Sequence, residues 1–319
     1  MSSIEENRIT FNDLKPGDIL LLSAKDDFVS TIISIFTNSE VTHTAIVAGD
    51  TRYMYECTAP VACCTALSER HNRDIYVRRL SDAALPPDPV VAYAKKYVDD
   101  KQPYAYADMI FIGICLLTKG CVPKLAVSHP NLIIEIMKIA CYTVEKWINT
   151  KKHPGQLPMV CSQMAFNAYA NAALTVDSGY KIHIDNESEP IQNLLTMVLD
   201  SLHAQNTTDL LLSETEDFSC EDPYQAAEPI FQKMIEAYQE EQNSDAISPV
   251  CKEPINDKLL PYVLKFAKHI LTALGIDCKD NAVLITETLL DMQGAFVTPD
   301  DLCYHAENLT SIGCIYRTE

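Results

Sequence analysis

The turn at Gly49-Asp50 restricts the fold more than any other feature, because a link of a few residues cannot join parallel neighbours. It separates two β-forming runs. The segment VTHTAIVA at 41–48 is compact and β-branched, and YMYEC at 53–57 returns from the turn, so the pair reads as an antiparallel hairpin. A further strand is predicted at 75–80. Before them, Ile19-Leu20-Leu21-Leu22 follows the turn chemistry of Lys15-Pro16-Gly17-Asp18 and reads as a buried strand. Consecutive strands of this kind predict an antiparallel sheet and not a βαβ series. Alternation along the second run puts Val41, His43, Ala45 and Val47 on one face.

Helical spacing dominates the rest. Phe28, Ile32, Ile35 and Phe36 mark a helix over 27–36, and the interruption at Pro86 and Pro89 precedes another over 90–98. The run 107–117 is strongly apolar, but its length of about 11 residues falls well short of the roughly 20 needed to span a bilayer. It reads as a buried helix, although Met109, Phe111, Ile112, Leu116 and Leu117 would equally suit acyl chains. An amphipathic helix over 131–149 carries Ile134, Met137, Cys141, Val144 and Ile148 along one stripe. After Pro158, a helix opens at Cys161, with Cys161, Met164, Ala165, Ala168 and Ala172 forming a small-residue face suited to packing on a sheet. Further helices are predicted at 191–202, 225–239 and 259–274. Near the end, Thr298 as cap, Pro299 and two acids start a helix that leads to a last strand at 312–317.

Charge excludes some functions. The chain has 25 Lys and Arg against 44 Asp and Glu, and the net charge of −19 opposes nucleic-acid phosphates and anionic membranes. Over 181–250 there are 15 acids and 2 bases, which concentrates −13 of that charge in one segment. This segment reads as a solvated helical surface or as a surface for docking a protein partner. The start MSSIEENRITF lacks a basic region followed by an apolar one, so the twelve cysteines are expected as free thiols in a reducing cytosol. No CxxC spacing occurs, and neither a metal nor a cofactor is expected.

Cys161 is the candidate nucleophile. A free thiol is mostly protonated at neutral pH, and a helix start and an imidazole are the usual means of activating it. Its main-chain N–H, unpaired at the helix start, would suit an oxyanion. His43, held mid-strand among small or β-branched neighbours, is the candidate base. Glu56 in the next strand is the candidate for orienting that ring, with the pairing register left open by the sequence. Tyr104 and Tyr106, after a proline, are candidates for contacting substrate. Taken singly, each also fits a structural role: a core cysteine, a strand histidine, an exposed strand glutamate, loop aromatics packed on the core.

Six fragments in order carry a resemblance: LKPGDILLL at 14–22, VTHTAIV at 41–47, MYECT at 54–58, QPYAYADM at 102–109, VCSQMAFNAY at 160–169 and VTPDDL at 297–302. Together they resemble the circularly permuted NlpC-type papain-like cysteine hydrolases, the YiiX-like group related to lecithin:retinol acyltransferase. The resemblance covers about 11–180 and 290–317, and the order of His43 before Cys161 is that of the permuted group. It implies an α+β fold with an antiparallel sheet packed on helices. It also implies a catalytic domain over 1–183 and 290–319 and an acidic helical insertion over 184–289. Two features depart from the group: roughly 110 residues separate the nucleophile helix from the TPDDL segment, and Gln163 stands where an acid is common.

The implied activity is hydrolysis of an amide or ester, peptide-like or N-acyl lipid, through a thioacyl-enzyme. One alternative is acyl transfer to a lipid or amine by the same Cys-His pair, and another is an inactive module that binds a protein through the insertion. Peptidoglycan cleavage follows only by family analogy. The expected location is the cytoplasm, with export as an effector kept as an alternative.

Overall fold

The computed structural model describes residues 6–104, 107–119, 122–150, 159–185, 192–205, 215–216, 218–243, 255–292 and 296–317. The strands are β1 (Ile19–Ser23), β2 (Val41–Val47), β3 (Tyr53–Cys57), β4 (Ala62–Ala66), β5 (Ile75–Leu80) and β6 (Leu309–Ile315). They form one six-stranded antiparallel sheet in the order β4-β3-β2-β1-β5-β6. The fold is therefore α+β, as the hairpin and its neighbours predict. β1 lies in the interior of the sheet, and Ile19 to Leu22 are fully buried on both faces, which accounts for the unbroken apolar run.

β4 is the strand that sequence reading misses. Its residues ACCTA are weak strand formers, and the segment is extended because it pairs along all of β3, from Tyr53↔Ala66 to Cys57↔Ala62. A second correction concerns the face assigned to Val41. Leu22 pairs with His43 and Ser23 with Val41, so Thr42 is an extra residue that bulges β2. Val41 consequently packs with Ile46 in one cluster, while Ala45 and Val47 lie in the other. The last strand also starts earlier than its pattern suggests, at Leu309, because Leu80 holds it in register.

The helices are α1 (Phe28–Thr37), α2 (Asp88–Asp99), α3 (Ala107–Thr118), α4 (Val122–Ser128), α5 (Pro130–Thr150) and α6 (Cys161–Thr175). They continue as α7 (Leu194–Gln205), α8 (Pro223–Asn243), α9 (Leu260–Ala273), α10 (Ala282–Asp291) and α11 (Pro299–Tyr304). One sheet face, bearing Leu21, Ile46, Tyr55 and Cys57, packs with the helices in a single large apolar cluster. The opposite face, bearing Leu20, Leu22, Ala45, Met54 and Val77, is covered by the N-terminal segment at Ile9, Phe11 and Leu14 and by Leu67. Asp27 accepts the Ser30 amide at 2.7 Å to start α1, and Thr298 with Asp301 forms a capping box at α11.

α3 is core, not surface. Ten of its twelve residues are buried, and Gly113 leaves room for the Phe266 ring of α9, since a β-carbon there would lie 2.4 Å from Phe266 Cζ. The segment 184–289 shares this core: α8 packs on α1 and α5, and α9 packs on α5. No described helix is long and apolar enough to cross a membrane.

Candidate active site

His43 and Glu56 come together because of the hairpin register. Ala45 pairs with Glu56, which places the carboxylate diagonally beside His43 on the same sheet face. The His43 Nε2 lies 2.7 Å from Glu56 Oε2. Glu56 is fully buried, and its other oxygen accepts from the Thr65 hydroxyl at 2.6 Å and from Arg70 Nη2 at 2.5 Å. Burial alone would raise this carboxyl, but the bonds from His43 and Thr65 and the nearby Arg70 charge outweigh it and hold the group at about 2. Burial lowers the His43 pKa against the pull of Glu56, so the ring is neutral at pH 7. A carboxylate only accepts, so Nε2 carries the proton and Nδ1 keeps a lone pair. Nδ1 has no hydrogen bond among the described residues, which leaves a base held in the competent tautomer.

Cys161 sits differently. It is the first residue of α6, after Val160 in extended conformation, and is 5 % exposed. α6 packs on β2 and β3 in the cluster that holds Ile46, Tyr55 and Cys57, and the Thr44 main chain, next to His43, reaches the Cys161 thiol. Burial pushes the thiol up to about 12, although the main-chain amides of Thr44 and Ser162 and the Arg73 charge favour the thiolate. Cys57, on the α6 side of β3, donates its thiol to Met159 O at 3.1 Å beside this turn. No hydrogen bond joins Cys161 Sγ to the His43 ring among the described residues. The structure thus brings the thiol to the backbone next to His43.

A cavity of about 600 Å³ opens beside His43, and Cys161 is not among its lining residues. Its walls include His43, Thr42, Thr58, Arg73, Tyr104 and Asp108 from the sheet side, and Asp222, Tyr224, Gln225, Glu228 and Phe231 from α8 and the residue before it. Tyr104 is buried and donates its hydroxyl to Asp108, and a charge on Asp108 opposes ionisation of Cys161. Burial raises Asp108 to about 6, which the Tyr104 hydrogen bond only partly offsets. Tyr106 lies outside the described residues. None of Met109, Phe111, Ile112, Leu116 and Leu117 lines the cavity, since all five are spent in the core. Among the described residues, no three His, Cys, Asp or Glu side chains converge on a position for a metal ion.

Sequence reading misses Thr65, Arg70, Arg73 and Asp108. The arginines lie in the stretch SERHNRD, where a charged loop gives no sign of which side chain turns inward. Asp108 falls inside the quoted QPYAYADM fragment, yet an acid in the first turn of a helix is usually explained by the helix dipole. No family model matches the chain, and no curated protein matches it either.

Proposed function

We propose that this chain is a cysteine hydrolase of the circularly permuted papain-like type, acting on an amide or ester bond through a thioacyl-enzyme. The observation that carries the reading is the buried Glu56 carboxylate fixing a neutral His43, with Nδ1 free, on the strand that meets the helix start at Cys161. With substrate in the cavity, His43 Nδ1 takes the Cys161 proton as sulfur attacks the carbonyl carbon. The tetrahedral oxyanion is stabilised by the Cys161 N–H, one of the unpaired donors of the α6 start. Collapse expels the amine or alcohol, which receives the proton from His43. A water molecule, deprotonated by the same ring, then hydrolyses the thioester and restores the thiol.

Hydrolysis is favoured over acyl transfer to a lipid by the lining of the cavity. The five apolar side chains of α3 that the sequence offered for an acyl chain are in the core, and Lys25, Asp27, Arg73, Asp108, Asp222 and Glu228 share the cavity walls with Phe28, Val29, Ile33 and Phe231. The insertion reads as part of the substrate site, because α8 supplies a wall of the cavity.

The test uses p-nitrophenyl acetate and mass spectrometry. A burst of nitrophenolate with one acetyl group on Cys161 is expected, and His43→Ala should slow it on the order of 10²–10⁴-fold. Acetylation of another cysteine in preference, or equal rates in the His43 variant, would reject the assignment.

A further inference from the structure

Arg73 is the one described buried arginine without an acidic partner. Arg70 pairs with Glu56 at 2.5 Å, Arg78 with Glu6 at 2.8 Å and Arg79 with Asp18 at 2.6 Å. Arg73 is 3 % exposed, and its bonds go only to neutral oxygens. Nε donates to Ser23 O, and Nη2 donates to Leu22 O at 3.1 Å and to Thr42 Oγ1 at 3.2 Å. These bonds fix the plane of the guanidinium, with the Thr42 bulge supplying one of them. Nη1 has no hydrogen bond among the described residues, and the side chain lines the cavity beside His43. Lys25 lies in the same wall, exposed and in no ion pair among the described residues.

A desolvated cation without a direct counter-ion is costly, and Asp27 and Glu56 act on Arg73 only from beyond ion-pair distance. The nearby acids are engaged elsewhere: Asp27 caps α1, Asp108 takes the Tyr104 hydroxyl, and Asp222 takes the Tyr224 amide at 2.9 Å. Resting on the assignment of Cys161 and His43, we infer that Arg73 anchors one anionic group of the substrate, a carboxylate or a phosphate, next to the bond that is cleaved. The planar fork suits either group. Asp222 and Glu228 on the far wall, together with the net charge of −19, select against polyanions, so the ligand carries a single such group near the reacting centre.

Two alkylating agents of similar size but different charge test this. Iodoacetate carries a carboxylate beside its reacting carbon and iodoacetamide does not; with either, sulfur displaces iodide and the thiol proton leaves. The ratio of the iodoacetate rate to the iodoacetamide rate is measured at Cys161 and at the exposed Cys64 as internal reference. The ratio at Cys161 should exceed that at Cys64 at least tenfold, and Arg73→Gln should bring the two together. A ratio at Cys161 no higher than at Cys64 in the unaltered protein overturns the proposal, whether or not the variant folds. A separate arm uses sodium acetate and inorganic phosphate as ligands of Cys161→Ala, with sodium chloride at matched ionic strength as control. Either anion should raise Tm, and adding Arg73→Gln should remove the rise. If Cys161 resists both agents while the Arg73-dependent rise persists, the anion site stands and the nucleophile assignment falls. If neither anion raises Tm, the anion site falls.

Discussion

The two halves of the candidate site are built on opposite principles. On the β2–β3 hairpin, His43, Glu56, Thr65 and Arg70 form a buried network in which the carboxylate has three partners and the ring tautomer is fixed. At the start of α6, Cys161 is a neutral thiol raised to about 12, facing amides and Asp108. The His43 ring is held as a neutral acceptor by its neighbours, and Cys161 is held as a neutral thiol. A thiol among eleven other cysteines is protected from indiscriminate oxidation by this arrangement, since reactivity follows the thiolate fraction.

Breaking the hairpin half should have the largest effect. Glu56→Gln keeps the size of the side chain but leaves Arg70 without its counter-charge, so a loss of about 3 kcal/mol is expected in denaturant unfolding at pH 7. Adding Arg70→Met should recover part of that loss, and full additivity of the two changes would contradict the network. The pH dependence has a definite sign. Glu56 has a folded pKa near 2 against 4.5 ordinarily, so its stabilisation is complete above 4.5 and is lost as pH falls toward 2. His43 is also lowered, so stability already declines as pH drops below 6.5, where the unfolded ring takes a proton first. Glu56→Gln should flatten the lower of these two limbs.

The thiol half predicts a gain. Asp108 is raised from 3.8 to about 6, so the folded state loses stability as pH rises through that interval. Asp108→Asn should therefore stabilise the protein at pH 7 by on the order of 2 kcal/mol and give no gain at pH 4. An equal gain at both pH values would assign the effect to packing. The smallest effect sharpens the contrast in reactivity. Iodoacetamide labelling of Cys161 should rise about tenfold per pH unit between 7 and 9, as a neutral thiol requires. A rate flat across that range would mean a preformed thiolate and would contradict the neutral thiol.

Much of this was legible along the chain. His43, Glu56 and Cys161 are residues that local pattern places on a strand, its hairpin partner and a helix start. What pattern could not supply is their relation. The diagonal from His43 to Glu56 depends on which residue β3 sets opposite Ala45, and the bulge at Thr42 depends on how β1 ends. β4 was missed for the same reason: Cys63 and Cys64 are extended by pairing with β3 and not by preference.

The sequence by itself determined the β2–β3 hairpin, the capped start of α11, the buried character of α3 and the position of Cys161 at a helix start. These are nearest-neighbour properties, set by backbone sterics, side-chain capping and the spacing of apolar residues. The tertiary structure decided which charges are paired. Glu56 is ionised because His43, Thr65 and Arg70 surround it, Arg73 is unpaired because no described acid comes within ion-pair distance, and the cavity exists because α8 crosses from residues far along the chain. Ionisation and pairing depend on desolvation and on the few ångströms between groups, and only the packed chain fixes either.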